Sequence, residues 1–189
     1  RMRGVASNTP MENLWDSDWN NMSGHATTFF TGNGLARKEN GSICQPSAGN
    51  YNLCHQSPKW QEVSIQASAR MAIYGDSLFQ DRFCGGVTDW PQYGWCDWCN
   101  RNFISYMLVN FSTSEFDTMG FDPVTFNIRN HIAAKRSQGL TSQQLLEEPI
   151  LHEYIRFKYR SEMYLAVEAI DQYHEVAAQA DKPIPAFYG

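Results

Sequence analysis

Cysteine and carboxylate side chains carry most of the chemistry this sequence could perform. Cys96 and Cys99 form a Cys-x₂-Cys pair, with Cys84 twelve residues before Cys96, Cys54 further upstream and Cys44 the fifth cysteine. Thiolates at x₂ spacing offer two of the four tetrahedral ligands of a zinc ion from one turn of chain. In an oxidising compartment the same residues would instead form disulfides, Cys44 with Cys54 or Cys84 with one of the pair, leaving an odd thiol. A redox role for the pair has little support, because no thioredoxin-like context surrounds it. Asp81 follows Ser77–Gln80, which reads as a short buried strand. A carboxylate at a strand end is where parallel α/β folds collect their reactive groups. The bland alternative is an ion pair of Asp81 with Arg82 or Arg3. Trp15, Trp19 and His25, with Asp16 and Asp18, sit in polar loops and could line a sugar site, the indoles stacking on a pyranose face. A loop capped by its own aromatics explains them equally well.

These residues need elements to hold them. Segments 2–7 and 26–31 read as short strands, and 32–53 as a long Gly/Asn-rich loop. Ser57-Pro58 opens a helix, with Ser as N-cap, Pro at the first helical position and Glu62 in the first turn, running to Gly75. A second helix begins near Cys96 and carries Phe103, Ile104, Tyr106, Met107 and Leu108. One or two shorter helical pieces follow in 112–148, with Thr141 capping 142–147. The longest helix starts at Pro149 and runs to about Ala180, and 183–188 reads as another strand. Strands alternating with helices predict a parallel α/β layout, about half of a (β/α)₈ barrel by length. A half-barrel leaves strand edges open, so the chain is expected to have further strands in a longer parent, or to assemble with a partner or with itself. Arg1 in place of an initiator Met fits a chain that is a piece of something longer.

Composition narrows the function classes. The net charge is −5, and the basic residues are scattered, which argues against a nucleic-acid partner. No apolar stretch approaches a membrane span. Three glycosylation sequons, at Asn21, Asn40 and Asn110, lean towards an extracellular or secretory location.

Three segments, taken in order, resemble the family-42 β-galactosidases, which are glycoside hydrolases. Leu53-Cys54-His55-Gln56-Ser57-Pro58-Lys59-Trp60 is similar to that family's Cys-Pro-Asn-Ser-Pro-x-Tyr segment. Gln80-Asp81 stands where the family has Asn-Glu, followed by Gly94-Trp95-Cys96-Asp97-Trp98-Cys99-Asn100-Arg101-Asn102-Phe103, similar to its Cys-x-Cys-x-x-Cys-x-x-x-Phe. Tyr154-Ile155-Arg156-Phe157 lies in the helix before the family's fifth strand. The resemblance spans roughly 52–188 and departs from the family in Gln-Asp for Asn-Glu and in a longer loop from Cys84 to Cys96. It implies a (β/α)₈ barrel hydrolysing β-linked, galactose-containing saccharides. Asp81 would be the general acid/base or a nucleophile, with Gln80 and Arg82 on the sugar, and Cys54, Cys84, Cys96 and Cys99 would hold a structural zinc. Hydrolysis needs two carboxylates; the family's second lies beyond Gly189, and Asp117 and Asp122 are the nearest local candidates. The competing reading is a non-catalytic carbohydrate-binding or structural protein, and a third is a zinc-stabilised interaction module.

Overall fold

The computed structural model describes residues 35–44, 54–74 and 93–182. Trp15, Trp19, His25, Gln80, Asp81, Arg82 and Cys84 lie outside the described residues, as do the expected strands at 2–7, 26–31, 77–80 and 183–188. Six helices account for most of what is described: α1 (Pro58–Tyr74), α2 (Asp97–Asn110), α3 (Thr113–Met119), α4 (Ile128–Ser137), α5 (Ser142–Leu146) and α6 (Pro149–Gln179). Among the described residues there is no sheet, and the extended pairing is an isolated antiparallel bridge between Arg37 and Ile43. This corrects the expected parallel (β/α)₈ layout: the helices bury their apolar faces against one another instead of covering a sheet. None of these helices is long and apolar enough to cross a membrane.

Local chemistry explains where the helices start and stop. Pro58 opens α1, as its fixed φ suits a first helical position. Glu62 falls just past the first turn, where it accepts from Gln66 Nε2 at 3.3 Å. The segment between α2 and α6 holds three short helices rather than one or two. Ser112 and Glu115 form a capping box at α3, and Gly120, at φ 65°, closes it in the left-handed conformation. The Asn127 side chain caps α4 by accepting from the Asn130 amide at 3.1 Å. Thr141 and Gln144 form a second capping box at α5, the helix expected there. Asp117 and Asp122 are exposed, and the Asp122 carboxylate is occupied in its own turn, accepting from Thr125 Oγ1 at 2.6 Å and the Val124 amide at 3.0 Å.

The longest helix, α6, organises the rest. Its buried residues, Ile150, Leu151, Tyr154, Phe157, Lys158, Glu162, Leu165, Ala169, Tyr173 and Ala177, recur every three or four positions and make one stripe along its length. The first half of that stripe packs into an aromatic core with Trp95, Phe103, Met107, Phe116, Phe121, Ile128, Ile132 and Leu145. The second half packs on α1, where Met71 and Ala72 meet Tyr173 and Ala177. Contacts fix the direction of this pair. His55 and Gln56, before α1, reach Glu162 and Ser161, while Ile73 at its end reaches Lys182. The two helices therefore run parallel. The buried face of α1 is small, with Ser64, Ala67, Ser68 and Ala72, which lets the helices approach closely.

Glu148 anchors the start of α6. Its carboxylate accepts from the Leu151 amide at 2.8 Å and pairs with His131 Nε2 at 3.0 Å, with Lys135 Nζ 3.9 Å away. Burial pushes this carboxyl up, but the His131 and Leu151 hydrogen bonds and the nearby charges outweigh it, and the net shift is downward. A group depressed in the folded state stabilises above its unfolded range, and that contribution is lost as pH falls through and below the ordinary carboxylate range. Glu148→Ala should cost about 1–2 kcal/mol in urea unfolding at neutral pH. The difference from wild type should shrink as the pH is taken below 4.5, the ordinary value for this carboxyl. A variant as stable as wild type at pH 7 would show that the cap and ion pair contribute nothing.

Candidate metal centre

Three of the four cysteines among the described residues converge. Cys54 sits just before α1, where its carbonyl accepts from the Ser57 amide at 2.9 Å. Cys96 is the N-cap residue of α2, and Cys99 lies in that helix's first turn. The x₂ spacing across a helix start turns both sulfurs to one side, and the Pro58 helix entry brings the third to meet them. The Sγ–Sγ separations are 2.9 Å for Cys54–Cys96, 3.2 Å for Cys54–Cys99 and 3.5 Å for Cys96–Cys99. All three residues are 2% exposed. No pair is at the roughly 2.05 Å of a disulfide; the cysteines are thiols, and the Cys44–Cys54 bridge considered above is not formed. Cys44 is buried outside this group.

The cluster could hold a metal ion. A tetrahedron with Zn–S near 2.3 Å has an S–S edge of roughly 3.8 Å, so an ion would spread the three sulfurs by less than about one ångström. Sulfurs this close suit one ion; the ligands of an iron–sulfur cluster bind different iron atoms and stand further apart. The electrostatics agree. Hydrogen bonds from Cys54 and then Cys99 lower Cys96 to about 3, and the backbone amides of Cys99 and Trp98 add to this. Hydrogen bonding to its neighbours, then burial, pushes Cys54 well up. Burial foremost raises Cys99. At neutral pH these shifts favour thiolate character at Cys96 and protons on Cys54 and Cys99, which metal binding would displace. A buried charge of this kind is costly without a cation beside it.

Around the sulfurs lie groups to which sequence reading gave no part in the metal site. Tyr154, fully buried on α6, donates its hydroxyl to the Gly94 carbonyl. Burial foremost, and then the charges of Cys99, Cys96 and Cys54, raise that phenol well above its ordinary value. The Trp95 ring lies 5.2 Å from the Tyr154 ring. Lys158, one turn after Tyr154 and 5% exposed, donates to the Tyr93 carbonyl at 2.7 Å. Gly94 is at φ +85°, and a Cβ there would meet Lys158 Cε at 2.7 Å, so glycine is required both by conformation and by the lysine laid against it. A polar chain flanks the centre: Asn102 Nδ2 donates to Gln56 Oε1 at 3.0 Å, and Gln56 Nε2 to Ser161 Oγ at 2.6 Å. His55 Nδ1 stands 3.1 Å from Glu162 Oε1. Tertiary folding brings these groups together from distant positions, so no local spacing could have announced them.

Of the expected site residues, Cys54, Cys96 and Cys99 are brought together. The fourth expected ligand, Cys84, lies outside the described residues, as do Asp81, Gln80, Arg82, Trp15, Trp19 and His25. Among the other histidines, His131 packs against Glu148 and His152 is exposed. No protein-family profile, curated protein or solved structure matches the chain.

Proposed function

We propose that Cys54, Cys96 and Cys99 bind a zinc ion as a structural centre, with Cys84 as the fourth ligand, in a helical interaction module that depends on the metal. The observation that carries this is the convergence of three fully buried sulfurs within 3.5 Å of one another. Soft thiolates select zinc, copper(I) or iron. Zinc suits the centre best because four thiolates leave no open coordination position, which is the mark of a structural zinc site. The ion would tie the entry of α1 to the start of α2, beneath α6. Metal analysis of the purified full chain should find about one zinc per polypeptide, and cobalt substitution should give thiolate-to-metal charge-transfer absorption. Protein that carries no metal and takes up none sinks this reading.

A second reading, hydrolysis of glycosidic bonds of β-linked saccharides through Asp81, is favoured by one observation. Three of the four cysteines that the family resemblance assigns to a single zinc do converge. Its test is Asp81→Asn in the full-length protein with aryl glycosides: loss of turnover supports it, and unchanged turnover removes Asp81 from catalysis. Chelation that unfolds the protein, with no saccharide bound or cleaved by the zinc-loaded form, favours the module instead.

A further inference from the structure

A zinc ion with three thiolates carries one net negative charge, and a fourth thiolate makes it two, inside a core that is otherwise largely apolar. Such a charge needs a compensating cation within the same low-dielectric region. We infer that Lys158, pinned between the Gly94 backbone and the Tyr154 ring, is the positioning residue that offsets the charge of the thiolate centre and so sets its affinity for a divalent metal; this rests on the zinc reading above. The geometry is specific. The Lys158 side chain is 5% exposed, its Nζ donates to the Tyr93 carbonyl at 2.7 Å and lies 5.7 Å from the centre of the Tyr154 ring. Tyr93 and Gly94, against which it lies, belong to the segment leading directly into Cys96. Its stem fills the space that a side chain at position 94 would need, with Cε 2.7 Å and Nζ 2.8 Å from that Cβ position. Tyr154 lies against Trp95 and Phe103, and Phe103 is one turn beyond Cys99 on the same buried face of α2. The ammonium therefore cannot leave for solvent without disturbing the strut that carries the sulfurs. Lysine is a buried point charge here rather than a surface one, which is where charge has its greatest effect on a neighbour.

The experiment is zinc affinity by chelator competition on the full chain, for wild type, Lys158→Met and Lys158→Arg, with cobalt absorption recorded for each. Lys158→Met keeps the length and removes the charge. It should bind zinc 10–100-fold more weakly, as loss of a group supporting metal ligands typically does, while the cobalt spectrum still reports the same thiolate set. Lys158→Arg keeps the charge and should stay within about threefold of wild type. Equal affinity of wild type and Lys158→Met overturns the inference and leaves the zinc reading intact. Equal weakening of both variants also overturns it, since packing and not charge would then be the cause. Should Lys158→Met not fold, the arginine variant decides: retained affinity supports the role of charge, and a tenfold loss overturns it. Wild-type protein that binds no zinc overturns both.

Discussion

Cys99→Ser should abolish stoichiometric zinc binding and remove most of the stabilisation that zinc confers. Cys99 is fully buried among the ligands and one turn from Phe103 on α2. Serine replaces a soft thiolate with a poorly ionised hydroxyl, so the set falls to two sulfurs among the described ligands. At a free zinc concentration a thousandfold above the dissociation constant, binding adds about 4 kcal/mol to wild type. For a chain of this size that is a rise in melting temperature of roughly 10 °C. The variant should show no rise at all. The pH dependence tests the same centre from the other side. With Cys96 lowered, mainly by hydrogen bonds from Cys54, and with Cys54 and Cys99 raised, the metal-free trio holds protons at neutral pH that binding as thiolates must expel. Lower pH therefore opposes binding, by about tenfold in affinity per unit for each ligand proton expelled, that of Cys84 included. Zinc affinity measured at pH 6.5 and 7.5 decides this; a flat profile, or a Cys99→Ser protein that melts and binds like wild type, would remove Cys99 from the ligand set.

What the sequence made legible divides along the range of the interactions. Ser57-Pro58, the Thr141 cap and the Pro149 start are signals read within a few residues, and each marks a helix start that is observed. The extent of α6, from Pro149 to about Ala180, was equally readable, but its buried face was not, since Tyr159, Met163 and Val167 are apolar and yet exposed. The break into α3 and α4 was missed. It depends on a left-handed Gly120 and an Asn127 cap whose effect shows only once the chain turns there. The barrel expectation came from short apolar runs such as 26–31 and 77–80, and runs of that length do not by themselves separate strand from other buried structure. The parallel pairing of α1 with α6 was not readable either, since it is a property of two faces separated by four intervening helices. At the metal centre, Cys96 and Cys99 were visible as a spacing. Cys54 was attached to them only by resemblance, and Lys158, Tyr154 and Gly94 not at all. A side chain can be placed beside a sulfur by packing alone, and packing leaves no periodic mark.

Phe103→Ala should be the most destabilising change in the aromatic core, at about 3–5 kcal/mol. Phe103 is 0% exposed and sits where rings from three parts of the chain meet. Tyr154 approaches it edge-on at 5.0 Å and 84°, Phe121 at 6.1 Å and 80°, and Phe157, Phe126 and Tyr106 lie at 5.7, 5.9 and 6.2 Å. Truncation removes one face of each contact, and neighbours fixed by helix backbones cannot all move in to fill the space. The cost is therefore transfer energy and cavity energy together, beyond the half to 1.5 kcal/mol that each well-placed ring pair typically adds. Phe103→Leu keeps most of the volume and should cost less than about 1.5 kcal/mol. Val109→Ala, two turns along the same helix but 84% exposed, should stay within about 0.5 kcal/mol of wild type. Urea unfolding of the three variants in metal-saturated protein measures this without confounding it with zinc loss. If Phe103→Ala and Val109→Ala unfold at the same urea concentration, the helices are not held by this core, and the packing of α6 on α2 that positions the sulfurs falls with it. If the order is as expected, the aromatic core holds the first turn of α2 at a fixed distance from Lys158. The metal centre then depends on the core for its geometry as well as on its own ligands.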